Sequence, residues 1–334
     1  MLQYLIIYLC DTSSSYCHYE NPKRKLRLIS LEDLNAGIFF AMKENLMIQF
    51  VYPDTELPQS YKNAIDSIDH NTIVSSSCED KRLVELADIV VFHDWASLNY
   101  YAFNLDQVYV LRTTKDDFFN SYTLLRNIFP KVHRFNVVLT DIENFSENDY
   151  GHYKDVLACL SSDIGRLFME GEKVQFNLLT DRMTLSVMNN CNAGWENITL
   201  APDGNFYVCP AFYFDEEKPI GNVQNGLKIE NSHLYRLDYA PICRHCDAFH
   251  CKRCVWLNKK TTLEVNTPSH QQCVISHLER NSSRNILMNE SIKSVIDEPA
   301  EIREIDYLDP FDVKDKWDYE LLKQELIKFH KENY

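Results

Sequence analysis

Glycine is scarce in this chain: eight in 334 residues, against a usual share of roughly 7%. That leaves few positions where bare backbone could come close to a cofactor. Basic clusters are also missing. With 34 Lys and Arg against 49 Asp and Glu the formal net charge is −15, which excludes a nucleic-acid partner, because phosphate contacts need grouped cations. A neutral or basic peptide remains compatible with that charge. Long apolar runs are absent as well. The opening "LQYLIIYL" (2–9) is too short to span a bilayer, follows no basic region and precedes no small-residue cleavage site, so no membrane role and a cytoplasmic location are expected. There is no internal repeat or low-complexity tract.

What is present is enough apolar sequence (45%, with 25% charged) to bury a real core, as one large domain or two ordinary ones. Eleven cysteines in a reducing compartment point to metal ligands or catalytic thiols before disulfides. They are unevenly placed: 191, 209, 243, 246, 251, 254 and 273 all fall in one segment.

Before that segment, short β-branched or aromatic runs alternate with helical patterns. Strands are expected at 3–9, 47–52, 88–93, 107–111, 134–139 and 174–179. Helices are expected at 31–44, 60–67, 81–87, 96–103, 115–128 and 147–170. Near-continuously apolar strands separated by helices predict βαβ units and a parallel α/β sheet, either an open partial (β/α)6 barrel or a doubly wound sheet. Residues 186–275 read as a small, loop-rich unit that needs metal to fold. It contains two short strands, "NITLAP" and "NFYVCP". The tail, 276–334, reads as helical, with Tyr319, Leu322, Leu326 and Phe329 on one stripe. The expected domains are therefore 1–185, 186–275 and 276–334.

In "CNAGWENITLAPDGNFYVC" (191–209), twelve residues separate Cys191 from Gly204 and four separate Gly204 from Cys209. The "PDG" turn lets two strands bring the thiols together. "CRHCDAFHCKRC" (243–254) follows, and Cys273 closes the set. Zinc takes four thiolates in a tetrahedron, and the gap between Cys246 and Cys251 is short for two facing knuckles. Iron–sulfur clusters accept more open spacings. His245 and His250 read as exposed loop residues.

This cysteine pattern resembles the SPASM domain of radical S-adenosylmethionine peptide-modifying enzymes, which carries two auxiliary [4Fe–4S] clusters. The resemblance implies that Cys243, Cys246, Cys251 and Cys273 hold one cluster, while Cys191, Cys209 and Cys254 give three ligands to the other. Two gaps in the central block are each one residue shorter than the family's usual five and three. One cluster, two clusters, or zinc therefore stay open. Seven thiolates leave one coordination position for a substrate group, or for Asn192, Glu196 or a histidine.

At the N-terminus, "CDTSSSYC" (10–17) has the frame C-x3-S-x2-C. In radical S-adenosylmethionine enzymes, C-x3-C-x2-C follows the first strand of a partial (β/α)6 barrel, commonly with an aromatic residue before the third cysteine. Here Tyr16 is that aromatic residue, and the middle position is Ser14, whose hydroxyl is a poor iron ligand. Asp11, Ser14 and His18 are the candidates for an improvised third ligand beside Cys10 and Cys17. The family's Gly-Gly-Glu after the second strand is replaced by "YPDTELP" (52–58), where Glu56 alone matches. Both changes make binding and radical cleavage of S-adenosylmethionine unexpected. With "DTSSSYCHYEN" (11–21) at the front, the chain resembles the CXXX-repeat peptide maturases. These relatives lack the intact three-cysteine motif and are associated with ribosomally made peptides bearing repeated cysteines.

The resemblance implies maturation of a cysteine-containing precursor peptide, with a partner maturase or reductant. The alternative is a non-catalytic, peptide-binding or scaffolding pseudoenzyme whose metal is structural. Other candidate groups at the strand ends are Asp11, Asp54, Glu56, Arg112, Asp141, Glu143, Asp181 and Arg182. His93 and Asp94 stand out as a histidine beside a carboxylate, able to serve as acid, base or ligand.

Overall fold

A computed structural model describes residues 2–22, 26–312, 327, 328 and 331. The stripe expected at Tyr319, Leu322, Leu326 and Phe329 lies outside them.

Seven parallel strands build the front of the molecule: β1 (Tyr4–Tyr8), β2 (Met47–Val51), β3 (Asn71–Ser75), β4 (Ile89–Phe92), β5 (Val108–Thr113), β6 (Arg134–Leu139) and β7 (Gln175–Phe176). They lie side by side in chain order. A doubly wound sheet reverses its strand order at a switch point, and none occurs here. Sequential parallel strands with right-handed crossovers place their helices on one side and curl the sheet, giving the partial barrel. Six strands were expected and β3 was not among them. It contributes only Ile73 and Val74 as fully apolar buried residues before running into serines, too short a signal for period reading.

The connecting helices are α1 (Leu31–Glu44), α2 (Gln59–Ile65), α3 (Lys81–Leu86), α4 (Trp95–Leu98), α5 (Lys115–Ser121), α6 (Leu125–Ile128) and α7 (Glu147–Met169). Two differ from expectation. The helix expected over 96–103 is a single turn, and that over 115–128 is interrupted by a 3-10 turn at Tyr122–Leu124. α7 begins with a capping box, Ser146 with Asp149, which satisfies orphan N–H groups at its start.

After the one-turn helix α8 (Asp181–Thr184), the chain crosses back. β8 (Asn197–Leu200) pairs in parallel with the free side of β1, Tyr4 opposite Asn197. β9 (Asn205–Tyr207), β10 (Gly221–Asn222) and β11 (Gly226–Leu227) then add on in antiparallel order. Among the described residues the result is one eleven-stranded sheet. Gly204 sits in the β8–β9 turn at φ +79°, the left-handed region that glycine enters without steric cost.

Short α9 (Pro210–Phe214) follows β9, and α10 (Val255–Thr262) and α11 (His270–Leu287) close the described fold with the one-turn α12 (Glu290–Lys293). α11 packs along α7. The boundary drawn at 275/276 falls inside α11, and Cys273 lies near that helix's start.

Candidate metal centre and strand-end cavity

The C-terminal cysteines gather in two groups. Cys243, Cys246, Cys251 and Cys273 line one small apolar recess with His277. Their loop is held by backbone: Ala248 N–H points at Cys246 Sγ (3.4 Å) and Arg253 N–H at Cys251 Sγ (3.5 Å). His277 Nε2 lies 3.7 Å from Cys246 Sγ. Burial pushes the thiols of Cys243 and Cys273 up, and that of Cys246 to about 12, with the neighbouring thiols adding to the effect.

Cys191, Cys209 and Cys254 form the second group. Cys191 N–H donates to Lys252 O (3.1 Å), which ties the start of the segment to the end of the block. Cys254 caps α10, its sulfur accepting from Leu257 N–H (3.5 Å). Burial raises the Cys209 and Cys254 thiols, Cys254 to about 12, and each of them is also raised by Cys191.

Between the groups stands Arg253, with φ +42° and 1% exposure. One of its nitrogens donates to Tyr235 O, while Nε and Nη1 are buried without a partner. Burial lowers its pKa, opposed by Cys243, Cys251 and Cys191. An orphaned guanidinium among thiols fits anionic groups held by those thiols. The donor set, soft sulfur with N–H groups aimed at it, suits iron–sulfur clusters.

A second layer anchors this segment to the barrel. Arg280 makes a bidentate pair with Asp247 (2.7 and 2.7 Å). Arg182 is fully buried, donates to Asp247 O (2.6 Å) and lies over the Phe249 ring. Glu279 joins Tyr153 of α7 (2.6 Å) to His250 (3.0 Å). His250 is thus buried and paired, not an exposed loop residue; His245 is exposed. Arg253, Asp247 and Arg280 were missed by sequence reasoning. Only the place of Arg253 inside the Cys251–Cys254 gap could have marked it.

The other centre is an open cavity of about 600 Å³ at the C-terminal ends of the parallel strands, lined among others by Ser14, Asp54, His93 and Arg112. The three positions of the N-terminal motif have different partners. Cys10 Sγ is 3.2 Å from Thr12 Oγ1. Ser14 Oγ is 2.6 Å from His93 Nε2. Cys17 instead has Cys191 and Cys254 as its electrostatic neighbours, and they add to the burial that raises its pKa. Arg112 pins this loop, donating to Cys17 O (2.8 Å), Tyr19 O (2.7 Å) and Glu20 (2.7 Å). Of the improvised-ligand candidates, His18 Nδ1 bonds Leu139 O (2.8 Å), and Asp11 accepts from Tyr213 and Arg27.

The remaining strand-end residues have structural partners. His93 Nδ1 faces Arg112 Nη1 (3.3 Å), while Asp94 caps α4 by accepting from Ser97 N–H (2.8 Å). The histidine is therefore oriented by Arg112 and Ser14, not by its neighbouring carboxylate. Glu56 pairs with Lys62 (2.6 Å) outside the cavity, and Glu143 with Lys260 (2.6 Å). Asp141 accepts from Lys115 N–H (2.8 Å), and burial raises its pKa. Asp181 takes a bidentate bond from Arg134 (2.7 and 2.8 Å). Asn192 and Glu196 bond each other (2.8 Å).

Residues 191–255 match the SPASM iron–sulfur cluster-binding domain. This SPASM match contains six of the seven clustered cysteines; Cys273, in α11, lies beyond it. The fold is similar to that of anSMEcpe, an anaerobic sulfatase-maturating enzyme, solved with bound AdoMet. That similarity has a TM-score of 0.58 at 12% identity, over 89% of this chain and 97% of that one. The same enzyme with AdoMet and a Cp18Cys peptide gives 0.58 and 12%, over 88% and 100%. SuiB of Streptococcus suis gives 0.44 at 11% identity, over 70% and 65%. The similarity to anSMEcpe concerns the fold alone, a partial barrel followed by the SPASM segment. Compared by sequence with curated proteins, the chain matches none. Among the described residues, no helix is long and apolar enough to cross a membrane.

Proposed function

We propose that this chain acts in the maturation of a ribosomally made, cysteine-containing peptide of the CXXX-repeat kind, without radical cleavage of S-adenosylmethionine. In this reading Cys243, Cys246, Cys251 and Cys273 hold one [4Fe–4S] cluster, and Cys191, Cys209 and Cys254 contribute to a second. The clusters supply one-electron transfer when bound. The chain's own residues aim N–H groups at the cysteine sulfurs and place Arg253 between the two groups.

The observation that carries the reading is Ser14, a hydroxyl bonded to His93 where the motif's middle thiol would stand. A hydroxyl is a poor iron ligand, and Cys10 has Thr12 as its own partner. Iron–sulfur clusters are favoured over zinc by spacing. Among the described residues no three of the sulfurs lie within 4.8 Å of one another, whereas thiolates around tetrahedral zinc sit about 3.8 Å apart. The peptide bound in the similar enzyme supports a peptide as the substrate class. The proposed limits are 1–185 for the barrel, 186–275 for the metal domain and 276–334 for the tail, with a cytoplasmic location and a partner maturase or reductant.

A second reading, a peptide-binding pseudoenzyme, is favoured by the partners of the candidate carboxylates. Asp11, Glu56 and Asp94 are engaged by Arg27, Lys62 and a helix start, so their carboxylates serve the fold rather than a proton transfer.

The test is anaerobic purification with iron, sulfide and zinc analysis, then incubation with S-adenosylmethionine, reductant and candidate peptide. Iron with sulfide, no 5′-deoxyadenosine and a changed peptide mass are expected. Zinc without sulfide overturns the clusters, and 5′-deoxyadenosine overturns the loss of radical chemistry. An unchanged peptide on fully loaded protein decides for the binding reading.

A further inference from the structure

We propose that Cys17, the last cysteine of the broken N-terminal motif, is the fourth protein ligand of the cluster held by Cys191, Cys209 and Cys254. The inference rests on the reading of those three residues as cluster ligands and adds a ligand from the barrel to them.

One set of contacts brings the barrel loop to the thiol group, and a second holds that group together. Cys209 stands at the start of α9, whose last residue, Phe214, stacks on Tyr19 (centroids 5.7 Å apart, planes at 15°). Phe214 also meets Tyr8 edge-on at 5.7 Å. Tyr8 and Tyr19 share a hydroxyl contact, and Tyr16 packs against both rings. Cys17 lies between Tyr16 and Tyr19 in sequence, so this aromatic stack fixes its loop against α9. On the other side, Cys191 is tied to Lys252, two residues before Cys254. Burial raises the Cys17 thiol and Cys191 and Cys254 add to it, while burial raises Tyr16 with Cys17, Cys191 and Cys209 among the groups that add to that.

The chemistry agrees with the placement. Cys191, Cys209 and Cys254 offer three thiolates where a [4Fe–4S] cluster takes four. Asn192 and Glu196, the nearby alternatives, already bond each other. Ligation by Cys17 replaces its S–H bond with an Fe–S bond and releases the proton to solvent, with no change of oxidation state. The arrangement closes the coordination sphere, as in structural metal sites, so substrate thiolate does not bind this cluster directly.

The test uses the full chain, purified anaerobically with its clusters. Differential alkylation of the unmutated protein should find Cys17 protected together with Cys191, Cys209 and Cys254, and released with them when iron is chelated. Cys17→Ser should alter the Mössbauer and EPR signature of one cluster, or lose on the order of four irons per chain. Cys10→Ser should change neither. Retention of both iron and spectrum in Cys17→Ser, or alkylation of Cys17 while the cluster persists, overturns the proposal. If the combined Cys191, Cys209 and Cys254→Ser variant keeps all its iron, the underlying assignment fails instead, whatever Cys17 does.

Discussion

Ser14 is held by His93, and Cys17 does not line the strand-end cavity. Restoring the lost thiol should therefore not restore the lost site. Ser14→Cys is expected to bind no additional cluster and to form no 5′-deoxyadenosine, as measured by iron content and product analysis. A gain of about four irons would refute this. Arg253 makes the opposite kind of prediction. Its charge is buried among thiols with two unpartnered nitrogens, where it favours the more reduced, more negative state of a nearby cluster. Arg253→Met should shift at least one reduction potential to lower values by tens of millivolts, on the order expected for a unit charge at an effective dielectric of about 20. Redox titration followed by EPR checks the sign. Little at this scale was visible in the linear chain. The cysteines announce themselves by spacing, but Arg253 matters through a left-handed backbone turn and burial, and neither leaves a pattern in sequence.

Among elements, the buried pair of Asp247 and Arg280 joins the cysteine block to α11. Burial raises the Asp247 pKa, but the Arg280 bond, helped by the charges of Arg182 and Arg303, outweighs it and holds the carboxyl below its ordinary value. The sign follows. A depressed folded pKa contributes stability that is full above the unfolded value of about 3.9 and lost as pH falls through the folded value. Denaturant midpoints should thus drop more steeply below about pH 4 in the unmutated protein than in Asp247→Asn. Arg280→Leu should cost about 3–5 kcal/mol by leaving a buried carboxylate unpaired. Gly204 is a smaller case. An added Cβ would meet Asp33 Oδ2 at 2.9 Å in a left-handed turn, so Gly204→Ala should cost about 1–2 kcal/mol, read as a lower melting temperature.

Legibility follows apolar length. α1 and α7 were readable because each carries a long periodic face, β1 because it is a continuous apolar run, and β2 and β6 because apolar residues dominate each around Gln49 and Asn136. β3 is short and ends in serines, and α4 shrinks to one turn. The strand-end site was readable as a place, since parallel strands direct their following loops to one end. Its wiring was not, because the partners of His93 come from β5 and the loop after β1, far away in the chain.

For the molecule as a whole, metal and fold should be coupled. The segment from Cys191 to Cys254 has little regular structure besides four short strand pairings, α9 and three 3-10 turns, so cluster binding contributes folding free energy there. Protein made without iron should be cleaved by protease first between residues 186 and 275, with the barrel surviving longer. Uniform digestion of both parts would argue against the coupling. The pairing of β8 with β1 has a further consequence for dissection. Cutting the chain near residue 185 would strip β1 of a neighbour and bare its amide edge, which invites self-association. The front half is thus a poor candidate for isolated study: β1 needs β8, which follows the whole barrel in the chain, to finish its own hydrogen bonding.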